Sequence, residues 1–567
     1  MELLSPDLIR TLLPALLGLP VAAALVLRMV RDSAAGATAT WFAVGHLVLT
    51  LVVLAGSLLS IQSDPELSAN INRGTGKEQD ERGFAPQFVP GDPLPNAKPS
   101  YQTTWEVLPL GGDGPKVQGA QFFIGLDGLN VWLVLLTSLM TVPVVLVSRD
   151  TIREREGAFY SWLFLLQAAT LGVFLSFDLL LFYVCFELTL VPLLFLIGGW
   201  GPGPNRREAA RKLFLFTLAG GLITLIGVAG TVLFVYDRTG ELTFSIPRLA
   251  DLVQTNLKRS SGTGREIWLQ TQTYLFLALA AGFAVKVPIV PLHSWLPGAY
   301  AEAPTGVTVM LSALLAKMGA FGLVRICLPL CPDATLAVGM PLVGTLAVVG
   351  IVYGAFCAYA QTDLRRLVAY SSVSHLGFCV LALMAASSIA LSGGVLHMFN
   401  HGLSTGAMFL MVGMLTRRYG SAQIADYSGL WTRLPVFTFF LMVFCLSSVG
   451  LPGLNNFVSE VMMLLGVFDA RSPYVSGPAY AAVAVLGVFL SAWYTMTMIR
   501  RALFGPVKEP PTAEPVTDLT GREKAALVPL AVLCLALGLL PQTVLQVMER
   551  DMVRLAQVAD EARARTR

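Results

Sequence analysis

The sequence predicts an all-α polytopic membrane protein with about fourteen transmembrane helices. Its 567 residues are 55% hydrophobic and only 13% charged, with a mean hydropathy of +0.67, whereas soluble domains carry about 25% charged residues. Ionisable residues nevertheless interrupt several apolar segments, where a charge costs roughly 2.5–3.5 kcal/mol at the bilayer centre. We therefore expect a membrane bundle whose buried acids and bases have a function.

Hydrophobic segments long enough to span a bilayer recur along the whole chain. Their approximate cores are 8–28, 39–60, 127–148, 159–176, 178–198, 212–236, 273–294, 304–327, 336–360, 366–387, 390–415, 435–468, 478–503 and 525–548. Asp127 and Asp178 lie at segment ends, where we expect them at the membrane interface. No cleavable signal is expected, because Glu2 and Asp7 precede Arg10 and no small-residue cleavage site follows.

The short loops predict the orientation of the bundle. Basic residues follow segments one, three, five, nine, eleven and thirteen: Arg28 and Arg31; Arg149, Arg153 and Arg155; Arg206, Arg207 and Arg211; Arg365 and Arg366; Arg417 and Arg418; Arg500, Arg501 and Lys508. All of these loops lie on one side, so that side is predicted to be cytoplasmic and both termini to face outward. Of the two long outward loops, 62–120 is predicted to be solvated and loosely structured, and 237–268 to hold a short amphipathic piece.

Two segments are predicted to be broken helices. Segment seven has Pro288 and Pro291 just after Lys286, and segment twelve contains SSVGLPGLNNF (447–457) just before Glu460. Proline removes a backbone donor, and a membrane tolerates the freed carbonyls only where protein or water satisfies them. The breaks lie five segments apart, an odd offset that reverses orientation. This predicts two inverted five-helix repeats, segments four to eight and nine to thirteen, with ion sites at the breaks; simple packing kinks are the alternative.

Six ionisable residues inside the apolar segments are the candidate site: Glu187, Lys286, Lys317, His375, His401 and Glu460. A buried lysine keeps its proton beside a carboxylate and loses it when the carboxylate moves away. If Glu187 faces Lys286, separating the two would release a proton through water to Lys317. Histidines titrate near neutrality and suit the middle of such a relay, and Glu460 would release the proton outward. The alternatives are a static buried bridge between Glu187 and Lys286, and snorkelling of Lys317 to an interface.

Several long runs resemble the antiporter-like membrane subunits of respiratory complex I, particularly the branch that contains subunit M, known in mitochondria as chain 4. These runs are GLDGLN (125–130), FELTLVPLLFLIGGWG (186–201), FAVKVPIVPLHSWLPGAYAEAPT (283–305), AQTDLRRLVAYSSVSHLGF (360–378), HGLSTGAMFL (401–410) and LPGLNNFVSE (451–460). The resemblance covers roughly residues 120–505. The first two segments, the long outward loop and the C-terminus match only in general character.

The resemblance implies roles for individual residues. Glu187 and Lys286 match the family's ion pair that controls proton loading, and Lys317 matches its central lysine. His375 and His401 match the polar axis between two half-channels. Glu460 matches a terminal acid where related L and N subunits and sodium/proton antiporter chains usually carry lysine.

The chain also departs from the family. Where the family often reads H-x-W-L-P-D-A-H, this chain has Gly298 and Tyr300 in place of the aspartate and second histidine after His293. Any role of the missing groups is absent or has moved, with Glu302 as one candidate, and His397 is a further histidine without an assigned role. The predicted divisions are 1–60 (two helices), 61–124 (outward loop), 125–158 (third helix and loop), 159–327 (first half-channel), 336–505 (second half-channel) and 506–567 (C-terminal helix and tail).

The sequence predicts no cofactor and no metal site in this chain. It lacks G-x-G-x-x-G, Walker, C-x-x-C and haem motifs, and its seven cysteines are scattered. NADH, FMN, iron–sulfur clusters and quinone are therefore expected on partner subunits. The expected partners are other membrane-arm subunits, the lipid bilayer and protons; the net charge of +3 does not indicate nucleic acid.

The resemblance implies a proton-translocating membrane-arm subunit of an NADH:quinone oxidoreductase, located in a bacterial inner membrane. Three alternatives stay open: a cation/proton antiporter chain of a multisubunit Na⁺/H⁺ exchanger, a membrane-arm subunit of a hydrogenase, and a purely structural subunit. The acid at Glu460 favours the first reading over the exchanger. Neighbouring genes for NADH- and quinone-binding subunits would separate it from the hydrogenase, and pumping that survives charge neutralisation would indicate a structural role.

Overall fold

The chain folds into a helical bundle with one small pair of strands. The computed structural model describes residues 6–63, 86–87, 89–90, 101–110, 119–470, 472–509 and 516–566. Its helices are α1 (Pro6–Met29), α2 (Asp32–Ser63), α3 (Val131–Thr151), α4 (Glu156–Leu175), α5 (Leu179–Trp200), α6 (Arg206–Thr239), α7 (Ile246–Arg259), α8 (Gly262–Lys286), α9 (Leu296–Glu302), α10 (Thr305–Leu330), α11 (Pro332–Tyr359), α12 (Leu364–Ala385), α13 (Ser388–Tyr419), α14 (Leu430–Arg433), α15 (Pro435–Ser448), α16 (Asn455–Phe468), α17 (Gly477–Leu503), α18 (Gly521–Leu539) and α19 (Gln542–Thr566).

Membrane-spanning character is confirmed for most of the predicted segments. Within the described ranges, ten helices are long and apolar enough to cross a membrane, or eleven if the bent pair α18 and α19 counts as one span. Predicted segments seven, eleven and twelve do not pass this test on their own. Segments seven and twelve contain the backbone breaks, and segment eleven, which is α13, carries buried His397, Asn400 and His401. These polar side chains lower the hydropathy but face protein, not lipid.

The centre of the bundle is formed by helices that bury most of their surface. The apolar window of α10 is 100% buried and that of α12 is 94% buried, whereas α1 and α2 each bury 33%. Helix α13 packs against α16 and α12, and α10 contacts α13. The core therefore lies at α10, α12 and α13, with α1 and α2 at the periphery.

Backbone irregularities mark the helices that later carry the site. Helix α5 is interrupted at Thr189, three residues before Pro192, whose missing N–H cannot reach the Leu188 carbonyl. Helix α8 ends at Lys286, and residues 287–295 are non-helical before α9 begins. Residues 449–454 separate α15 from α16 in the same way. Both breaks that the sequence predicts are thus confirmed in position.

The loop at 62–120, which is predicted to face outward, contains more order than predicted in its second half. Strand β1 (Glu106–Pro109) pairs antiparallel with β2 (Gly119–Gln121). The backbone amide of Gln121 donates to Asp178, whose carboxylate also caps the start of α5. Of the loop at 62–120 that is predicted to be loosely structured, residues 64–85, 88, 91–100 and 111–118 lie outside the described residues. The predicted amphipathic piece of the other loop is confirmed as α7.

The C-terminal segment differs from the prediction of one span at 525–548. Helix α18 ends at Leu539, and α19 begins at Gln542 with a bend of 67°. Pro541 lies at the junction, where it lacks the N–H needed to continue a helix. Helix α19 carries many charged residues and packs across segment ends: Arg563 donates to the Ala385 carbonyl, and Arg565 pairs with Asp333 at 3.0 Å. Residues 540–548 are therefore a turn and the start of a helix outside the spans.

Candidate functional site

Glu187 and Lys286 are neighbours without forming a direct ion pair. The Lys286 ammonium donates to the Phe186 carbonyl and, at 3.2 Å, to the Thr189 hydroxyl, and it lies 3.2 Å from the Phe186 ring centroid. The interruption of α5 at Thr189 positions both oxygen acceptors. Lys286 therefore lies next to Glu187 because it bonds Phe186 and Thr189 on either side of it. The ammonium and the carboxylate themselves form no hydrogen bond.

The Glu187 carboxylate faces helix α6 in a space left by a glycine. Both of its oxygens are buried and have no hydrogen-bond partner among the residues that the structure describes. A Cβ atom on Gly221 would meet Glu187 Oε1 at 2.0 Å. An unsatisfied buried carboxylate is costly, so this position indicates a site that water or a proton completes.

Lys317 lies at the centre of the bundle in an irregular part of α10. Two π-helical stretches, Leu311–Leu315 and Leu323–Cys327, flank Ala316–Gly322, and such stretches are frequent at functional sites. The Lys317 ammonium donates to the Ser312 carbonyl and lies 2.9 Å from His401 Nδ1. The ammonium is fully buried within protein, so the snorkelling alternative is excluded.

The Glu187–Lys286 group and Lys317 meet where α8 contacts α10. A Cβ atom on Gly319 would come within 2.5 Å of Val287 Cγ2 and 2.6 Å of the Phe283 carbonyl oxygen. Gly319 thus allows the end of α8 to approach α10 closely, two residues from Lys317. The described contacts contain no direct hydrogen bond between Lys286 and Lys317, so a proton would need water to pass between them.

Three of the five histidines form one cluster. The ring centroids of His375 and His401 are 5.6 Å apart, as are those of His397 and His401, and His375 and His397 are 6.0 Å apart. All three side chains are buried. His397 had no role assigned from sequence, and the structure places it beside the two predicted histidines because it precedes His401 by one helical turn.

Glu460 completes the chain of contacts on α16. Its Oε1 atom lies 3.5 Å from His375 Nδ1, and both side chains are buried. Gly450, at φ +76°, lies beside it: a Cβ atom there would meet Glu460 Oε2 at 2.3 Å. Lys317, His401, His375 and Glu460 are thus contiguous, as the hypothesis of a single buried relay requires.

A chain of hydroxyl groups continues from His375 and was not predicted. His375 Nε2 lies 3.3 Å from Ser491 Oγ, which lies 3.3 Å from the Tyr494 hydroxyl, itself 2.6 Å from Ser371 Oγ. Ser371 is one turn nearer than His375 to the start of α12. Serine and tyrosine are common in any membrane helix, so the sequence offered no signal that would single out these three.

A second buried charged cluster, also missed, joins α19 to the bundle. Arg325 contacts Asp127 at 2.6 Å, and the amide of Gly128 donates to Asp551 at 2.7 Å. Burial, and then the charge of Asp127, raise the pKa of Asp551 to about 7, against the opposing effects of Arg325 and Arg550. Asp127 stands just before α3, at a segment end as the sequence predicts, and it is 4% exposed and therefore buried in protein. The partner that buries it lies about 200 residues away in sequence, beyond local pattern reasoning.

The remaining sequence candidates have structural contacts. Glu302 accepts a hydrogen bond from the Asn205 amide at 3.0 Å. His293 stacks edge-on against Tyr353 and Tyr370, with centroids at 5.2 and 6.3 Å. Asp178 stands at the start of α5, at a segment end as the sequence predicts; it is fully buried, and three backbone amides satisfy its carboxylate.

Comparison with known proteins places this arrangement in context. Residues 176–498 match the family model described as NADH:quinone oxidoreductase/Mrp antiporter, transmembrane. The chain is 38% identical over 465 residues to NADH-quinone oxidoreductase subunit M of Pseudomonas aeruginosa, covering 81% of this chain and 86% of that protein. It is 37% identical over 431 residues to the Escherichia coli K12 subunit M, covering 75% and 81%.

Solved structures share the fold. A chain of respiratory complex I from Thermus thermophilus with bound NADH superposes with a TM-score of 0.76 at 28% identity, covering 97% of this chain and 99% of that one. A chain of the Mrp complex from Dietzia sp. DQ12-45-1b gives 0.72 at 20% identity, covering 98% and 99%. The second likeness shows the shared fold alone.

Proposed function

Because the chain belongs to the NADH:quinone oxidoreductase/Mrp antiporter membrane family, we propose that its buried acids and bases form a proton relay. The chain is a proton-translocating membrane-arm subunit of an NADH:quinone oxidoreductase. The observation that carries the relay is the unbroken line of buried contacts from Lys317 through His401 and His375 to Glu460. Each neighbouring pair in this line can exchange a proton directly or through one water.

Unpartnered atoms along this line support a proton path. His375 Nδ1, His401 Nε2 and Glu460 Oε1 make no hydrogen bond within the described part of the chain. Buried polar atoms are normally satisfied, and an exception needs an explanation. Water in the path would satisfy them and would carry protons between neighbours.

The Glu187–Lys286 group is proposed to set when the relay is loaded. Lys286 lies beside the break of α5 and the end of α8, and both irregular positions can adjust without unfolding a regular helix. While Glu187 stays near, the ammonium is favoured; when the carboxylate moves away, burial disfavours the charge. The proton would then pass toward Lys317.

The hydroxyl chain is proposed as an entrance from the cytoplasmic side. Ser371, Tyr494 and Ser491 lead to His375, and Ser371 is nearer than His375 to Arg365 and the start of α12. Hydroxyl groups both donate and accept hydrogen bonds, so the chain can pass protons by reorientation. Glu460 would receive them through His375.

The finer architecture belongs to the same proposal. We infer about fourteen spans, with segments four to eight, which lie within α4 to α10, and segments nine to thirteen, which lie within α11 to α17, as inverted repeats of five spans each. The breaks after α8 and α15 occupy corresponding positions, and each lies near a charged residue of the relay. The basic loops support an orientation in which they face the cytoplasm and both termini lie outside. We assign residues 159–327 and 336–505 to the two half-channels.

The chain is proposed to work without a cofactor of its own. Partner subunits of the same complex would hold NADH, FMN, the iron–sulfur clusters and quinone. Other membrane-arm subunits would connect those subunits to this chain. Energy would then arrive as a mechanical or electrostatic change near Glu187 and Lys286. The location is a bacterial inner membrane, consistent with a multi-pass relative of bacterial subunits M.

The test replaces charges of the loading group in the intact complex. We expect Glu187→Gln and Lys286→Ala to assemble but to lower NADH-driven proton pumping and coupled NADH oxidation by about tenfold or more, in line with the loss of a proton-transfer group. Subunit content, NADH:quinone turnover and vesicle acidification are measured on purified complex. Glu208→Gln and Lys212→Ala, at exposed positions of α6, serve as matched controls. Normal pumping by both loading-group variants would refute the relay.

A further inference from the structure

His375, His397 and Glu460 converge in a way that proton transfer alone does not require. One potential ligand atom from each of the three lies within 4.8 Å of the others, and all three residues are buried. They come from three helices, α12, α13 and α16. Two histidines and one glutamate, with water in the fourth position, form a ligand set that binds zinc in proteins.

The outer contacts of the two histidines match those of metal ligands. His397 Nδ1 bonds Ser459 Oγ at 3.0 Å, and His375 Nε2 lies 3.3 Å from Ser491 Oγ. Metal-bound histidines usually bond a protein group through the second ring nitrogen, which fixes the ring orientation. The opposite nitrogens, His397 Nε2 and His375 Nδ1, have no hydrogen-bond partner among the residues described.

We propose that His375, His397 and Glu460 form a binding site for a divalent transition metal ion, with Zn²⁺ as the preferred ion. Imidazole nitrogens favour Zn²⁺ over Na⁺, Mg²⁺ or Ca²⁺, which prefer oxygen ligands. Tetrahedral Zn–N and Zn–O bonds of about 2.0–2.2 Å place ligand atoms about 3.3–3.6 Å apart. The three side chains therefore need to close by about 1 Å, which side-chain rotation can supply.

The bound ion would block the relay, a consequence that rests on the proposed function. It would occupy the lone pairs by which His375 and Glu460 accept a proton, because metal ligands bind in their deprotonated form. His397 takes no part in the proposed relay, yet it supplies one of three ligands. A substitution at His397 should therefore weaken metal binding without removing a group of the proposed proton relay.

The experiment uses the purified intact complex and two metal probes. Co²⁺ reports on the site through its visible ligand-field absorption, and ZnCl₂ is titrated against NADH-driven proton pumping. For His397→Asn we expect the loss of one Co²⁺ absorption component relative to the unmodified complex. The half-inhibiting Zn²⁺ concentration, referred to each variant's own uninhibited rate, should rise by about tenfold or more. His293→Asn, a buried histidine outside this cluster, should match the unmodified complex in both measurements.

Two further outcomes separate the parts of the proposal. Ser459→Ala, which keeps all three ligands but removes the hydroxyl that bonds His397, Asn400 and the Asn456 carbonyl, should weaken Co²⁺ binding several-fold and covers the case in which His397→Asn fails to assemble. Identical Co²⁺ spectra and Zn²⁺ titrations for the unmodified complex and the two variants would overturn the site. If the variants lose Co²⁺ binding but Zn²⁺ does not inhibit pumping by the unmodified complex, the metal site stands and its proposed inhibition of the relay is wrong. The test on Glu187 and Lys286 is independent of that result.

Discussion

The Glu187 carboxylate occupies a space that one methyl group on Gly221 would fill. Glycine in a helix interior costs about 1 kcal/mol relative to alanine, so a glycine at this position of α6 lowers helix stability. Gly220, next to it, serves a different contact, because its Cβ would meet Val285 at 3.0 Å. At the residue scale, glycines therefore determine which positions the charged side chains of the site can occupy.

Gly221→Ala should impair proton transfer without removing a charge. The added Cβ would lie 2.0 Å from Glu187 Oε1, and the carboxylate, being the end of a flexible side chain, would turn away from Lys286. We expect proton pumping to fall about tenfold with normal assembly and unchanged or higher thermal stability. Pumping by vesicles and thermal unfolding of the complex are the measurements.

The control for that substitution is Gly199→Ala on α5, where no heavy atom lies within 4 Å of an added Cβ. It should leave pumping unchanged. If Gly221→Ala pumps as well as this control, the position of the Glu187 carboxylate does not matter to the relay.

At the scale of elements, broken helices place the ionisable groups. Lys286 ends α8, Glu187 precedes the interruption of α5, and Glu460 follows the break between α15 and α16. Each break exposes backbone groups inside the bundle, which a membrane protein tolerates only around a polar site or cavity. The same elements that lose regular hydrogen bonds therefore supply the polar surroundings that buried charges need.

The break before α16 offers a paired test with two glycines. Gly450 (φ +76°) and Gly453 (φ +93°) both adopt backbone conformations that cost alanine about 1–2 kcal/mol. A Cβ atom on Gly450 would meet Glu460, at 2.3 Å from Oε2. A Cβ atom on Gly453 would have no heavy atom within 4 Å. Gly450→Ala and Gly453→Ala should both lower thermal stability, but only Gly450→Ala should reduce proton pumping.

The measurements are the melting temperature and the pumping rate of the two variants, each in purified complex. Equal pumping by both would show that Glu460 tolerates displacement and would argue against its place at the end of the relay. A loss in Gly453→Ala alone would indicate that backbone strain, not the carboxylate, limits activity.

At the scale of the whole molecule, α19 connects the ends of helices that are distant in sequence. Its charged side chains contact Asp333 at the start of α11 through Arg565, the Ala385 carbonyl at the end of α12 through Arg563, and the Gly128 amide before α3 through Asp551. Together with the Lys258–Glu561 ion pair at 3.0 Å, which reaches α7, these contacts link both of the proposed repeats to one helix outside the spans. Movement of either proposed repeat relative to α19 would change the distances in these contacts.

The attachment of α19 should weaken as the pH rises. Burial, and then Asp127, raise the pKa of Asp551 to about 7, above the value near 4 of a free aspartate. The attached helix thus holds a proton that the detached helix releases between pH 4 and 7. The free energy of attachment falls over that range and is flat above it.

Hydrogen exchange of residues 542–566 in the intact complex measures this attachment. After correction for intrinsic rates, we expect exchange at pH 7 to be about fiftyfold faster than at pH 5, as linkage gives for pKa values near 7 and near 4. Asp551→Asn should remove this dependence, because its amide does not titrate. A slope of equal size in that variant would assign the pH effect to another group.

Much of the site could be predicted because buried charge in an apolar segment is a strong local signal. Glu187, Lys286, Lys317 and Glu460 are found this way, and His375 and His401 by their surrounding motifs. His397, Ser459, Ser491 and Tyr494 could not be found, because polar residues of this kind serve many roles in membrane helices. Their importance arises from neighbours on other helices.

The sequence by itself determined that the chain is a membrane bundle, where its two breaks lie and which charged residues enter the apolar layer. Hydropathy, proline and charge act within one helix, so they can be read along the chain. The tertiary structure alone decided that the histidines and Glu460 share one cluster, that Glu187 and Lys286 make no direct ion pair, and that α19 is bound through Asp127, Arg325 and Asp551. These depend on packing between helices far apart in sequence, where distances of a few ångströms decide which polar atoms meet.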